Sequence, residues 1–207
     1  MQLNSDFDPR KQNGPAPAGG SFSDEVLWSN FKTGNELALS ILYKKYVQRL
    51  YDYGMHSFRD HELVVDCLQE LFLRLWKKRE TLASVHCVKP YLFKAFRRIL
   101  LHEVSEKRKH FISSESAEYF DFLPSAESAL IEDEQKLEQI NRLRLCVQSL
   151  TKGQREVIYL KFFGDLSYRE ISEITEMQVD SVYNLVSKTI ELLRKKLQIA
   201  KPLIPLA

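Results

Sequence analysis

Apolar residues recur at helical spacing through most of the 207-residue chain, in two blocks parted by a polar interval. The first block begins near Asp24 and persists to about Lys109; the second resumes around Glu134 and runs nearly to Ala200. Leu39, Leu42/Tyr43, Tyr46/Val47 and Leu50 predict a helix over about Glu36–Tyr53, whose stripe asks for nothing beyond core packing. Val64, Leu68, Leu71 and Leu75 fall within about 60° of one another on a second helix, from about Asp60 to Arg79. A third is predicted from Pro90, a favoured first helical position, to about Arg108, with Phe93, Phe96, Leu100 and Val104 on its core side. Sustained period-two alternation and Asn-Gly or Asp-Gly hairpin turns are missing from the sequence. The expected fold is therefore all-α: two small helical domains joined by a flexible acidic linker, the second containing a helix-turn-helix. Its expected divisions are a disordered tail over 1–23, a first domain over 24–111, the linker over 112–138 and a second domain over 139–200.

The second block holds the sharpest local signal. Ser167-Tyr168-Arg169-Glu170 reads as a capping box, with Ile171 and Ile174 facing a core. Glu176-Met177-Gln178-Val179 is the expected turn, and Asp180 or Ser181 can cap the helix that follows. There Val182, Val186, Ile190, Leu193 and Leu197 recur on one side. The other side collects Asp180, Ser181, Asn184, Ser187, Lys188, Glu191 and Lys195. Amide, hydroxyl and ammonium donors on a small polar face suit base edges and phosphates in a major groove. An ordinary helical hairpin with a solvated face is the plainer alternative.

The first block carries two unusual outer faces. Opposite the core stripe of the second helix lie Glu62, Asp66, Gln69, Glu70, Leu73 and Lys77, with Trp76 on the flank. Leu73 is a large apolar residue inside a charged strip. That is either a commonplace exposed leucine or the anchor of a protein interface. On the third helix Lys94, Arg98, His102, Ser105 and Lys109 stack outward, with Arg97 adjacent and Lys107-Arg108 at the end. A solvated face would serve, but such lopsided positive charge favours phosphate contact. Tyr91 and Phe93 could stack on unpaired bases, although Phe93 also suits the core.

Charge distribution strengthens this picture where net charge does not. The formal charge is only +2. Between Glu115 and Glu138, however, eight carboxylates face a single Lys136, so the rest of the chain carries +9. The acidic stretch is either a solvated spacer or a shield over two basic modules. Three cysteines (Cys67, Cys87, Cys146) cannot all pair and lack metal-ligand spacing, and the five histidines form no HExxH, so neither a metal nor another cofactor is expected. No apolar run approaches the roughly 20 residues that cross a bilayer. The N-terminal stretch lacks a signal-peptide core, and a cytoplasmic protein without membrane insertion is expected. With no nucleophile–base pair and no Gly-rich phosphate loop, an enzyme is not expected.

Taken in order, the blocks resemble the bacterial extracytoplasmic-function sigma factors of RNA polymerase. The matching residues are Asp66-Cys67-Leu68-Gln69-Glu70-Leu71-Phe72-Leu73-Arg74-Leu75-Trp76, Pro90-Tyr91-Leu92-Phe93, Leu150 to Val157 with Phe162-Phe163, and Leu166 to Ile174 with Leu193 to Leu197. The resemblance implies core polymerase contact for Asp66, Gln69, Glu70, Leu73 and Trp76. It implies contact with the downstream promoter element, held as melted strand, for Lys94, Arg97, Arg98, His102, Lys107, Arg108 and Lys109. It implies duplex readout of the upstream element by Arg169, Ser181, Tyr183, Asn184, Ser187 and Lys188. The implied partners are core RNA polymerase and promoter DNA, with an anti-sigma factor as a further candidate. The loop around Cys87, Val88 and Tyr91 is the expected pocket for an extruded base. Arg98 and His102 stand where the family usually has Asn and Asp, Glu176 where the turn usually has Gly, and Leu185 at a commonly basic position, so no base preference is carried over. The rival reading is a conventional helix-turn-helix regulator that never joins polymerase, which would need no exposed Asp66/Glu70/Leu73/Trp76 face.

Overall fold

A computed structural model describes residues 23–58, 60–85, 87–110 and 134–197. Eight α-helices account for nearly all of these: α1 Asp24–Lys32, α2 Glu36–Phe58, α3 His61–Lys78, α4 Val88–His110, α5 Glu134–Gln148, α6 Lys152–Phe162, α7 Tyr168–Thr175 and α8 Val179–Leu197. A 3₁₀ turn over Arg79–Thr81 follows α3, and no strand occurs among the described residues. The residues form two compact units, the first mainly from α1–α4 and the second mainly from α5–α8. Residues 1–22 of the tail expected over 1–23, and residues 112–133 of the linker expected over 112–138, lie outside the described residues.

Local chemistry explains where the helices start. Ser23 caps α1 by accepting the Val26 amide, and Asp60 caps α3 by accepting that of Leu63 at 3.0 Å. Thr151 with Gln154 and Ser167 with Glu170 form reciprocal capping boxes on α6 and α7, the second as expected from the sequence. Two starts differ from expectation. The third predicted helix, α4, opens at Val88, so Pro90 is its third residue, still within the turn whose amides need no helical partner. The last helix opens at Val179, which puts Asp180 and Ser181 inside its first turn rather than at the cap. Glu176 ends α7 in the left-handed region, at φ 62°.

In the first unit the predicted stripes meet. Val64, Leu68, Leu71 and Leu75 of α3 are buried, as are Phe93, Phe96 and Leu100 of α4 and Leu42, Tyr46, Val47 and Leu50 of α2. Gly54 of α2 lies close against both α3 and α4: a Cβ there would stand 2.8 Å from a Val64 methyl and 3.2 Å from the Phe96 ring. In the second unit Val157, Leu160, Ile171, Ile174, Val182 and Val186 are buried. Thr189 joins them by donating its hydroxyl to the Leu185 carbonyl at 2.6 Å, a buried polar residue within the apolar stripe.

Candidate nucleic-acid interface

The outer side of α3 is set by the burial of its inner side. With Val64, Cys67, Leu68, Leu71 and Leu75 turned inward, Asp66 and Leu73 are exposed and Gln69 and Glu70 half-exposed. Leu73 keeps 40% of its surface accessible, so it stands as an apolar knob in a charged strip. Glu70 is paired with Arg74 one turn on. Trp76 is less free than its place on the helical wheel suggests. Its ring centroid lies 6.4 Å from that of Phe31, and the Arg79 guanidinium covers it at 4.5 Å. Burial pushes the Cys67 thiol beneath the strip up to about 12, which keeps it protonated and inert.

The basic face of α4 becomes concave through its neighbour. A cleft of about 350 Å³ opens between α3 and α4. Its apolar walls include Leu71, Leu75 and Ile99, and Lys94, Arg98 and His102 of α4 line it. Arg74 and Lys78 of α3 line it too, two cations that sequence reasoning assigned no role. They are four residues apart and so share one helix face, which the sequence displays; that this face meets α4 is a matter of packing. Among the described residues lining the cleft none is a carboxylate. Its charge and its stacking surface together match what an unpaired nucleotide offers.

Not all of the expected α4 stripe belongs to this cleft. Arg97 is absent from its lining. Lys107 is exposed but donates to Asp60 at 3.2 Å, tying the end of α4 to the cap of α3. Burial pulls the Asp60 carboxyl upward, yet the Leu63 amide and Lys107 outweigh it and leave it below the usual carboxylate range. The side chains of Arg108 and Lys109 lie outside the described residues. The loop pocket expected around Cys87, Val88 and Tyr91 is not built that way. Cys87 is exposed and Val88 is buried within α4. Tyr91 turns an edge to Trp28 at 5.1 Å and forms part of the cleft wall. Burial raises the Tyr91 phenol, which stays protonated. Phe93 is fully buried and unavailable for stacking.

In the second unit the short α7 and the longer α8 form a helix-turn-helix. Asp180, Ser181, Asn184, Ser187, Lys188, Glu191 and Lys195 are all exposed along α8, the face its periodicity predicts. Tyr183 is 48% exposed and stands edge-on to Tyr168 at 5.3 Å, whose ring carries the Lys161 ammonium at 4.6 Å. Arg169 is exposed on α7. Near the start of α8 the surface offers a phenol, an amide and hydroxyls, with Lys188 one turn beyond Asn184. Among the described residues no group of three or more His, Cys, Asp or Glu side chains is placed to hold a metal ion, and no helix is long and apolar enough to cross a membrane.

Comparison with known proteins covers both units. A family model described as Sigma-70 region 2 matches residues 42–110, and one described as Sigma-70, region 4 matches residues 140–193, together more than half of the chain. The RNA polymerase sigma-H factor of Pseudomonas aeruginosa is 22% identical over 185 residues, which are 84% of this chain and 94% of that protein. Two solved structures share the fold. CnrH, in complex with the cytosolic domain of CnrY, aligns with a TM-score of 0.58 at 17% identity, covering 86% of this chain and 99% of that one. The sigma factor RpoE, in complex with the anti-sigma factor NepR from Bartonella quintana, aligns with a TM-score of 0.54 at 18% identity over 84% and 99%.

Proposed function

Because the chain belongs to the sigma-70 family, of the extracytoplasmic-function type, and is an RNA polymerase sigma factor that binds core polymerase and promoter DNA, we propose how its surfaces divide that work. The outer strip of α3 docks on core polymerase, with Leu73 as the anchor, Asp66, Gln69 and Glu70 as its polar rim and Trp76 as its flank. An apolar centre ringed by polar groups is the usual anatomy of an interface hot spot. The α3–α4 cleft captures the melted strand. Separating DNA strands unstacks bases at a cost of a few kcal/mol per step, and a protein lowers that cost by holding the exposed base. Lys94, Arg98 and His102, joined by Arg74 and Lys78, hold phosphates and base edges there, while the apolar walls receive the base face. Arg97 and the Lys107–Lys109 end of α4 extend the positive charge along the strand.

The second unit sets position on duplex DNA. Phosphate contacts from Arg169 and Lys188 fix register, and Ser181, Tyr183, Asn184 and Ser187 reach base edges. The protein carries out no bond-making step of its own and works in the cytoplasm beside the polymerase. RpoE was solved with an anti-sigma factor, and a partner of that class, competing for the Leu73 strip, is proposed here also.

The observation that carries this reading is the arrangement of α3. One side bears the Leu73 strip, and its Arg74 and Lys78 look onto the cleft shared with α4. A plain helix-turn-helix regulator needs neither. Reconstitution with purified core polymerase over a pool of genomic promoters tests it. Run-off transcripts from a defined promoter subset, lost in the Arg98→Glu variant, are the expected result; failure to initiate at any native start site overturns it.

A further inference from the structure

We infer that Trp28 is a positioning residue for base capture. From α1 it holds the connection between α3 and α4 in the arrangement that shapes the cleft. This rests on the cleft reading above. Residues 24–32 precede the family match that begins at residue 42, yet α1 is built into the first unit. Trp28 is only 2% exposed. Its indole N–H donates to the Ala83 carbonyl at 3.1 Å, in the non-helical segment that follows the 3₁₀ turn. Leu82, one residue earlier, lines the cleft.

The same indole ring also packs against a lining residue from α4. Tyr91 packs against it at 5.1 Å with the planes 66° apart, and Tyr91 lines the cleft. On its other side Trp28 meets Phe31 at 5.3 Å, and Phe31 meets Trp76 at 6.4 Å. Arg79, which lies over Trp76, donates to the Trp76 carbonyl at 2.9 Å and to Glu80 at 3.0 Å, where the connection begins. The connection is thus held at its start by Arg79 and at its middle by Trp28.

The indole N–H is the part of this brace that ring packing cannot replace. A backbone carbonyl in a part-buried site needs a donor, and losing one leaves it unpaired or lets the segment move toward water. A cleft whose wall must be ordered at the moment of capture holds a base less well than one already in place. Trp28→Phe keeps a ring and deletes the donor.

The test is open-complex lifetime with reconstituted core polymerase, on promoters carrying an abasic scan through the melted non-template strand. The wild-type protein should lose lifetime most at one position, the captured base. On the intact strand W28F should shorten the lifetime about threefold to tenfold, the size of one hydrogen bond. With that base removed, the two proteins should become equal. Phe31→Leu, a cavity in the same helix that leaves the indole donor in place, should lower thermal stability and cost the same on intact and abasic strands. A W28F lifetime equal to wild type, a loss that persists unchanged on the abasic strand, or a W28F that no longer binds core polymerase overturns the brace. If no abasic position affects the wild-type protein, base capture by the cleft falls, and the brace falls with it.

Discussion

The two surfaces proposed to face DNA are built on opposite principles. On α8 the surface is convex, and all the groups proposed to reach base edges belong to that one helix. In the first unit it is concave and belongs to two, since Arg74 and Lys78 come from α3 and Lys94, Arg98 and His102 from α4. A convex helix suits an intact duplex, whose groove admits it and whose base edges it can read. A concave cleft with apolar walls suits a single strand, whose bases have faces to cover and phosphates to neutralise. The difference matches the order of events at a promoter, where a duplex is located first and opened second. A face read one side chain at a time tolerates substitution at single positions. A cleft depends on the packing of both its walls.

The largest expected effect separates polymerase docking from both surfaces. Asp66→Ala, Glu70→Ala and Leu73→Lys together should cost about 3 kcal/mol or more, on the order of a hundredfold or more in core affinity. The helical content by circular dichroism should be unchanged, and co-purification with core polymerase is the direct check. Next comes Arg98→Glu, which puts a carboxylate into a cleft lined by cations. Permanganate footprinting of the melted region should fall about thirtyfold while upstream duplex protection persists. If both signals fall together, the two surfaces do not divide the work as proposed.

A smaller effect sharpens the same contrast through packing alone. Gly54→Ala drives a methyl against Val64 and Phe96, so thermal stability should drop by about 1–3 kcal/mol and melting should suffer, with the α8 face left intact. Lys188→Ala should weaken duplex binding by about 1 kcal/mol across all sequences and reduce the slope against salt by about one unit. The smallest effect belongs to the turn. Glu176 holds a backbone conformation that costs an L-residue roughly 1–2 kcal/mol. Glycine there relieves it at some cost in chain entropy, so Glu176→Gly should raise thermal stability by about 0.5–1 kcal/mol and leave DNA affinity unchanged.

Helix existence, core faces and the convex site could all be read from the chain. Spacing near 3.6 residues assigns Val64, Leu68, Leu71 and Leu75 to one side of a helix whatever that side meets, and the Asn184–Lys188 face follows as its complement on α8. The capping box at Ser167 and Glu170 is legible for the same reason: its partners are three residues apart. Packing decided everything that joins distant positions. Tyr91 looked free to stack on a base, and Trp28, 63 positions earlier, has taken one of its edges. Lys107 belongs to the basic run that the sequence displays, and its pairing with Asp60, 47 positions earlier, is set by packing. Arg74 and Lys78 carried no signal beyond two exposed cations on α3 until α4 was laid beside them. Periodicity is a property of one helix and is written in its residues. A cleft is a property of the gap between two helices, and the residues of either one alone do not spell it.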